Sequence, residues 1–255
     1  MKVTFLGTGT SQGVPVIGCT CEVCCSVDYR DKRLRSSIHL EINTQSFVID
    51  TGPDFRQQML RENINRLDAV LLTHAHRDHT AGLDDVRAYN FLQGMNMPVY
   101  GSTETLHQIK NDFAYIFSKE KYPGLPRLDL CTIDENQFNI NSIQITPLPV
   151  LHSRLPVLGF RVGDFSYITD ANSIPDSTYE KLEGTKVLVI NALQREHHIS
   201  HFNLTEAIAI VKKVNPEKAY FTHISHKMGL HAAVSKELPE YISIAVDGLQ
   251  VSLES

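Results

Sequence analysis

Residues 73–79 read THAHRDH, directly after the apolar run DAVLLT (68–73). Four groups able to bind a cation, His74, His76, Asp78 and His79, stand within six residues. Successive residues of a strand point to opposite faces, so a continuing strand would scatter them. A turn at the strand end lets His74 and His76 close on one ion, while Asp78 and His79 face a second position. Imidazole nitrogen and carboxylate oxygen suit zinc, manganese or iron. One such stretch does not complete two metal positions. The fold must therefore present it at a rigid edge and bring further ligands from elsewhere.

Those ligands are sought where other apolar runs stop. His152 follows IQITPLPV (143–150), Asp170 follows FSYIT (165–169) and His223 follows KAYF (218–221). A lone His or Asp at a strand end is more often a turn or cap. Three of them after the same kind of element match the placement of site residues on a rigid sheet. Other strand-like runs occupy 2–7, 36–42, 46–50, 97–101, 159–169 and 186–192. Helical spacing of apolar residues appears over 54–67, 84–92, 104–117 and 203–214, the last opened by Asn203 and followed by Pro216. YPGLPR (122–127) reads as a loop, and VDGLQV (246–251) as a hairpin around Asp-Gly. Strands meet helices throughout, which predicts an α/β layered fold.

At 255 residues the chain is long enough for one large domain or two fused halves. A net charge of −5 argues against a bulk nucleic-acid binder. The basic stretch RDKRLR (30–35) is a solvated loop or a phosphate-attracting rim. No run of 18 apolar residues predicts a membrane span. The first residues, MKVTFLGTGTSQG, break at Gly7 before any long apolar region, so a cytoplasmic location is expected. GTGTSQG (7–13) lacks the Lys-Ser/Thr of a nucleotide-phosphate loop.

Four of the five cysteines crowd into residues 19–25. In a reducing compartment that points to metal before disulfide. Cys19, Cys21 and Cys24 form C-x-C-x2-C and need a fourth ligand for closed tetrahedral zinc. Cys25, adjacent to Cys24, is an alternative third thiolate. Cys131 reads as an unligated, apolar-type residue.

THAHRDH, LHS (151–153), ITDAN (168–172) and FTHISH (221–226) resemble the metallo-β-lactamase fold of hydrolases. The whole chain resembles its PhnP type, the phosphoribosyl cyclic phosphate phosphodiesterases. FLGTGTSQGVPVIGCTCEVC (5–24), LPVLHSRL (148–155), SHFNL (200–204), THISH (222–226) and VDGLQV (246–251) carry that likeness. The resemblance implies one domain over 1–255, an αββα sandwich of two mixed sheets flanked by helices. It implies that His74, His76 and His152 hold one ion, that Asp78, His79 and His223 hold the other, and that Asp170 bridges them. Two ions about 3.5–4 Å apart hold a bridging hydroxide beside a phosphoester. Manganese or zinc is expected there, with iron as a third choice. His201, in SHFNL, matches a histidine facing the scissile phosphate, as proton donor or charge stabiliser. His197 and His198 are nearby alternatives, and Asp78 joins His201 among the catalytic residues. The resemblance also makes His226 the fourth ligand of a structural zinc with the three cysteines, so that THISH serves two sites. Asp50, in VIDTG (48–52), matches a superfamily position, and the resemblance implies that it supports the metal loop from behind. Arg154 faces either a substrate phosphate or solvent.

The expected activity is metal-dependent hydrolysis of a small cyclic phosphodiester, and the resemblance makes a homodimer plausible. Ribonuclease Z-type tRNA processing and thioester or lactone hydrolysis are the enzymatic alternatives. No long basic or Gly/Pro-rich arm favours RNA. A zinc-finger nucleic-acid binder is the non-enzymatic alternative, and it would leave THAHRDH without a role.

Overall fold

The apolar run at 69–72 is buried on both faces. Ala69 and Leu71 enter a core between two sheets, and Val70 and Leu72 enter a layer beneath helices. Phe47 and Ile49 divide from Val48 in the same way. Strands covered on both sides need no polar alternation, which is why these runs are continuously apolar.

The computed structural model describes residues 1–118 and 122–253. One sheet contains β1 (Lys2–Gly7), β2 (Ser37–Ile42), β3 (Gln45–Ile49), β4 (Ala69–Leu71), β5 (Met97–Gly101), β6 (Leu128–Thr132) and β14 (Gln250–Ser252), in the order β14-β1-β2-β3-β4-β5-β6. The other contains β7 (Phe138–Ile140), β8 (Ile143–His152), β9 (Leu155–Val162), β10 (Phe165–Ile168), β11 (Val187–Asn191), β12 (Lys218–Thr222) and β13 (Ile242–Ile244), in the order β13-β12-β11-β10-β9-β8-β7. Both are mixed in the same sense. Strands up to β3 in the first and β10 in the second pair antiparallel, and those beyond pair parallel. The two halves thus share one architecture although no sequence repeat is visible.

Phe5, Ile38 and Phe47 meet Ile145, Phe160 and Tyr167 between the sheets. Two short helices, α1 (Glu22–Cys25) and α3 (Arg77–Thr80), lie in loops. Outside the first sheet pack α2 (Phe55–Arg61), α4 (Arg87–Gln93) and α5 (Thr103–Asp112). Outside the second pack α6 (Asp176–Leu182), α7 (Leu204–Val214) and α8 (His231–Val234). The result is the expected αββα sandwich. Asn203 opens α7 with a full capping box to Glu206, and Asn215 closes it at φ +55°.

Four sequence expectations change. The run 159–169 is two strands, because Gly163 turns the chain at φ +55° between β9 and β10. The Asp-Gly turn at 247–248 makes no hairpin: β13 and β14 belong to different sheets, and the turn carries the chain from one to the other. The Asp247 carboxylate accepts the Thr8 hydroxyl and the Leu34 amide, each at 2.7 Å, so it ties loops together. The helix expected over 54–67 stops at Arg61, with Asn63 at φ +53°. The stretch 104–117 divides into α5 and a separate 3-10 turn at Ala114–Phe117. Among the described residues no helix is long and apolar enough to cross a membrane.

Candidate active site

The site stands where strands of both sheets end. Asp50 follows β3, Thr73 and His74 follow β4, His152 ends β8, Asp170 follows β10 and His223 follows β12. Asp50, Asp170 and His223 have positive φ, at 66°, 53° and 57°. A left-handed residue costs strain for any side chain but glycine, and at three buried strand ends it re-aims the side chain toward the neighbouring sheet. Gly52 lets the chain after β3 pack on the metal-binding loop, since a Cβ there would lie 2.1 Å from the Asp78 carbonyl oxygen.

Asp170 is the meeting point. Its Oδ1 lies 3.0 Å from His223 Nδ1 and 3.3 Å from His79 Nε2, and its Oδ2 lies 3.3 Å from His201 Nε2 and 3.9 Å from His74 Nε2. His79 Nε2 is also 3.2 Å from Asp78 Oδ2, and His74 Nε2 is 2.9 Å from His76 Nδ1. The donor atoms form three groups that share Asp170: Asp78, His79 and His223; His74 and His76; and His152 with His201. The resemblance implied His152 beside His74 and His76. Its ring centroid lies 5.2 Å from that of His76 and 5.9 Å from that of His74, and its donor atoms group with His201 instead. Arg154 is exposed at the turn after His152.

Neighbouring groups orient these rings. Asp50 accepts His79 Nδ1–H at 2.7 Å, together with the Thr73 amide and hydroxyl. With its hydrogen given to Asp50, the Thr73 oxygen accepts His74 Nδ1–H at 2.9 Å. His152 Nδ1–H donates to the Ser200 carbonyl at 2.8 Å. In each case the other nitrogen, Nε2, is left for a cation, the usual arrangement around metal-bound histidine. Asp50→Asn should lower metal affinity about 10–100-fold, read by equilibrium dialysis. Asparagine tolerates the left-handed backbone, so the loss reports the carboxylate.

The donor set fits cations. His79 Nε2 and His223 Nδ1 are buried and make no hydrogen bond. Two ligand atoms on one ion of this size stand about 3.0–3.4 Å apart, close to the separations at Asp170. Asp50 and Asp170 are buried beside the half-buried Asp78, an arrangement that needs positive charge. Without a cation, burial would lower His79, but Asp170, Asp50 and Asp78 override it and hold the ring well above its ordinary value. Metal loading at neutral pH displaces that proton. His223 goes the other way: burial pushes it from 6.5 down to about 4, against Asp170. Between those values the unfolded chain binds a proton that the folded ring refuses. Stability from His223 is therefore complete above pH 6.5, falls as the pH drops, and levels off below about 4. Protons compete with cations for the same nitrogen, so bound metal should fall across this window on dialysis at stepped pH.

A second donor set lies in the N-terminal loop. Cys19, Cys21 and Cys24 Sγ stand 3.2, 3.4 and 3.5 Å from His226 Nδ1. The S–N edge of a tetrahedral zinc site is about 3.5 Å. Cys24 is buried and faces the group, whereas Cys25 is exposed.

A family model described as a β-lactamase superfamily domain matches residues 45–224. A crystal structure of a diphosphatase from the PhnP family shares 38% identity over 99% of this chain and 98% of that one, with a TM-score of 0.93. The chain belongs to the PhnP family of the β-lactamase superfamily. An octanoyltransferase of Porphyromonas gingivalis is 38% identical over 257 residues, covering all of this chain and 52% of that protein. A ribonuclease Z of Prochlorococcus marinus subsp. pastoris is 26% identical over 204 residues, covering 74% of this chain and 60% of the relative. The chain thus spans about half to three-fifths of the length of these curated relatives.

Beside His74 and His76 this PhnP-family chain has a cavity of about 750 Å³. Leu155, Pro156, Val157 and Leu158 form part of its apolar wall, and Glu104, Asp112, Asp134 and Glu135 line it with Arg77. Arg77 pairs with Asp112 at 3.7 Å. Sequence reasoning missed this wall, and it missed Thr73 and Ser200. Their roles run through a hydroxyl and a backbone carbonyl, which carry no spacing signal. Thr10 Oγ1, 3.3 Å from His223 Nε2, belongs to the same class.

Proposed function

We propose that the protein is a dinuclear metal-dependent phosphoric diester hydrolase acting on a small cyclic phosphodiester, with phosphoribosyl 1,2-cyclic phosphate as the leading substrate. The observation that carries this reading is the approach of His74, His79, His201 and His223 to the one buried carboxylate of Asp170. In this reading His74, His76 and His152 hold one cation, Asp78, His79 and His223 the other, and Asp170 is shared. Divalent zinc or manganese bound there supplies Lewis acidity and hydroxide at neutral pH. His201 gives a proton from Nε2 to the leaving oxygen as the P–O bond breaks. Cys19, Cys21, Cys24 and His226 hold a structural zinc.

The acidic lining of the cavity offers no basic track for the many phosphates of tRNA, whereas a small phosphodiester needs positive charge only at the cations. A cytoplasmic location, with its reduced thiols, and a homodimeric assembly belong to the same reading. A second reading, cleavage of a diphosphate linkage, is favoured by the PhnP-family diphosphatase that this chain matches over nearly its full length.

The test is a parallel assay of the metal-loaded protein on bis-p-nitrophenyl phosphate, a ribose cyclic phosphate, a dinucleotide diphosphate, an octanoyl thioester and labelled tRNA. Metal-dependent cleavage of the cyclic phosphate is expected. Faster turnover of the diphosphate selects the second reading, and activity confined to the thioester or tRNA overturns both.

A further inference from the structure

Residues 198–201 read HISH, and only the last has a role in the proposed reaction. The side chains of this segment form a closed group. His201 Nδ1 lies 3.0 Å from Ser200 Oγ and 3.3 Å from His198 Nδ1. The Ser200 amide faces His198 Nδ1 at 3.4 Å, and Ser200 Oγ lies 3.3 Å from the same nitrogen. On its other side His201 Nε2 points at Asp170 Oδ2. The His201 ring is stacked on His223 at 4.9 Å and meets His152 edge-on at 4.6 Å, so it has little room to flip.

The donors in this group can be assigned by elimination. A backbone amide only donates, so His198 Nδ1 is an acceptor and its hydrogen sits on Nε2. Two lone pairs facing each other at 3.3 Å would repel, so His201 Nδ1 carries a hydrogen. That hydrogen goes to Ser200 Oγ, and the serine hydroxyl hydrogen goes on to His198 Nδ1. The chain runs in one direction, from His201 through Ser200 to His198.

We infer that Ser200 and His198 are positioning residues that hold the hydrogen of His201 on Nδ1, so that Nε2 alone exchanges a proton at the reacting phosphate. The inference rests on the reading of His201 as proton donor. In hydrolysis the P–O bond to the leaving group breaks and that oxygen takes the proton from Nε2. The water that adds to phosphorus loses one proton, which restores the one on Nε2. Nδ1 keeps its hydrogen throughout. Ser200 also acts through its backbone, because its carbonyl accepts His152 Nδ1–H. Replacing its side chain leaves that carbonyl in place.

The test compares two leaving groups on the zinc-loaded protein. A p-nitrophenolate departs without protonation, whereas the alkoxide of a ribose cyclic phosphate needs a proton. Ser200→Ala and His198→Ala should lower turnover of the cyclic phosphate about 10–100-fold, at least tenfold more than they lower turnover of bis-p-nitrophenyl phosphate. His198→Asn, whose side-chain oxygen can replace the ring acceptor, should recover most of the loss. Equal losses on both substrates, or no recovery in His198→Asn, would overturn the inference. The ¹⁵N shifts of His201 give an activity-independent readout: hydrogen on Nδ1 in the wild type, and loss of that preference in Ser200→Ala. Hydrogen only on Nε2 in the wild type refutes the inference even if no phosphodiester is cleaved. Cleavage of neither substrate, with hydrogen on Nδ1, removes the proposed function and leaves the assignment of the ring standing.

Discussion

Asp170→Ala is expected to lose the catalytic cations, keep the Cys/His zinc, and fall in turnover by on the order of 10³ or more. An outer partner such as Asp50 costs about 10–100-fold when removed. Asp170 is different because its two oxygens touch all three donor groups. Burial would raise its pKa, but the His223 and His79 rings beside it override that and hold it ionised. Asp78 and Asp50 stay beside His79, but neither reaches all three donor groups. His79 would lose one of the three carboxylates around it, and His223 the carboxylate 3.0 Å from its Nδ1. The check is metal content by mass spectrometry alongside near-ultraviolet circular dichroism. Retained zinc and native dichroism with no turnover is the expected outcome. Asp170→Asn keeps the shape without the charge and should fail in the same way. Full turnover in either variant would remove Asp170 from the centre of the site.

Much of this centre could be read from the chain. The dense stretch 73–79 and the single His or Asp at the ends of other apolar runs identify the groups that converge. Strand ends are marked by composition, and a sheet puts its ends in one place. The parts that stayed hidden have no such mark. Positive φ at Asp50, Asp170 and His223 depends on tertiary packing. The Thr73 hydroxyl and the Ser200 carbonyl belong to ordinary residues at unremarkable spacings. Asp-Gly at 247–248 is a turn signal that specifies a local bend but not which sheet receives the next strand. Short strands such as β6 and β7, at the sheet edges, carry too few apolar residues to announce themselves. The glycines of GTGTSQG allow a close approach of backbones instead. Gly9 lies against Arg33, where a Cβ would come within 2.9 Å, and bridges to Ile224.

That bridge decides what the second site does. Cys21→Ser should cost stability heavily and activity little. Zinc that binds only the folded chain contributes about 4 kcal/mol when free zinc exceeds Kd a thousandfold. For a chain of this size the corresponding fall in Tm is roughly 8–16 °C. A zinc held there would join residues 207 positions apart, Cys19 and His226, so its loss would free a long stretch of unfolded chain. His223 stands three residues before His226, and proximity alone would have it released too. It is held separately: the Ile224 amide donates to the Thr8 carbonyl at 2.8 Å, and the Thr10 amide donates to the Ile224 carbonyl at 3.1 Å. These bonds anchor the first half of THISH whatever happens at the second. Differential scanning calorimetry and a zinc indicator on Cys21→Ser should therefore show lost zinc and a lower Tm, with catalytic metal affinity within about tenfold of wild type. A collapse of catalytic metal binding at temperatures where the fold persists would mean that His226, not the strand bridge, fixes His223.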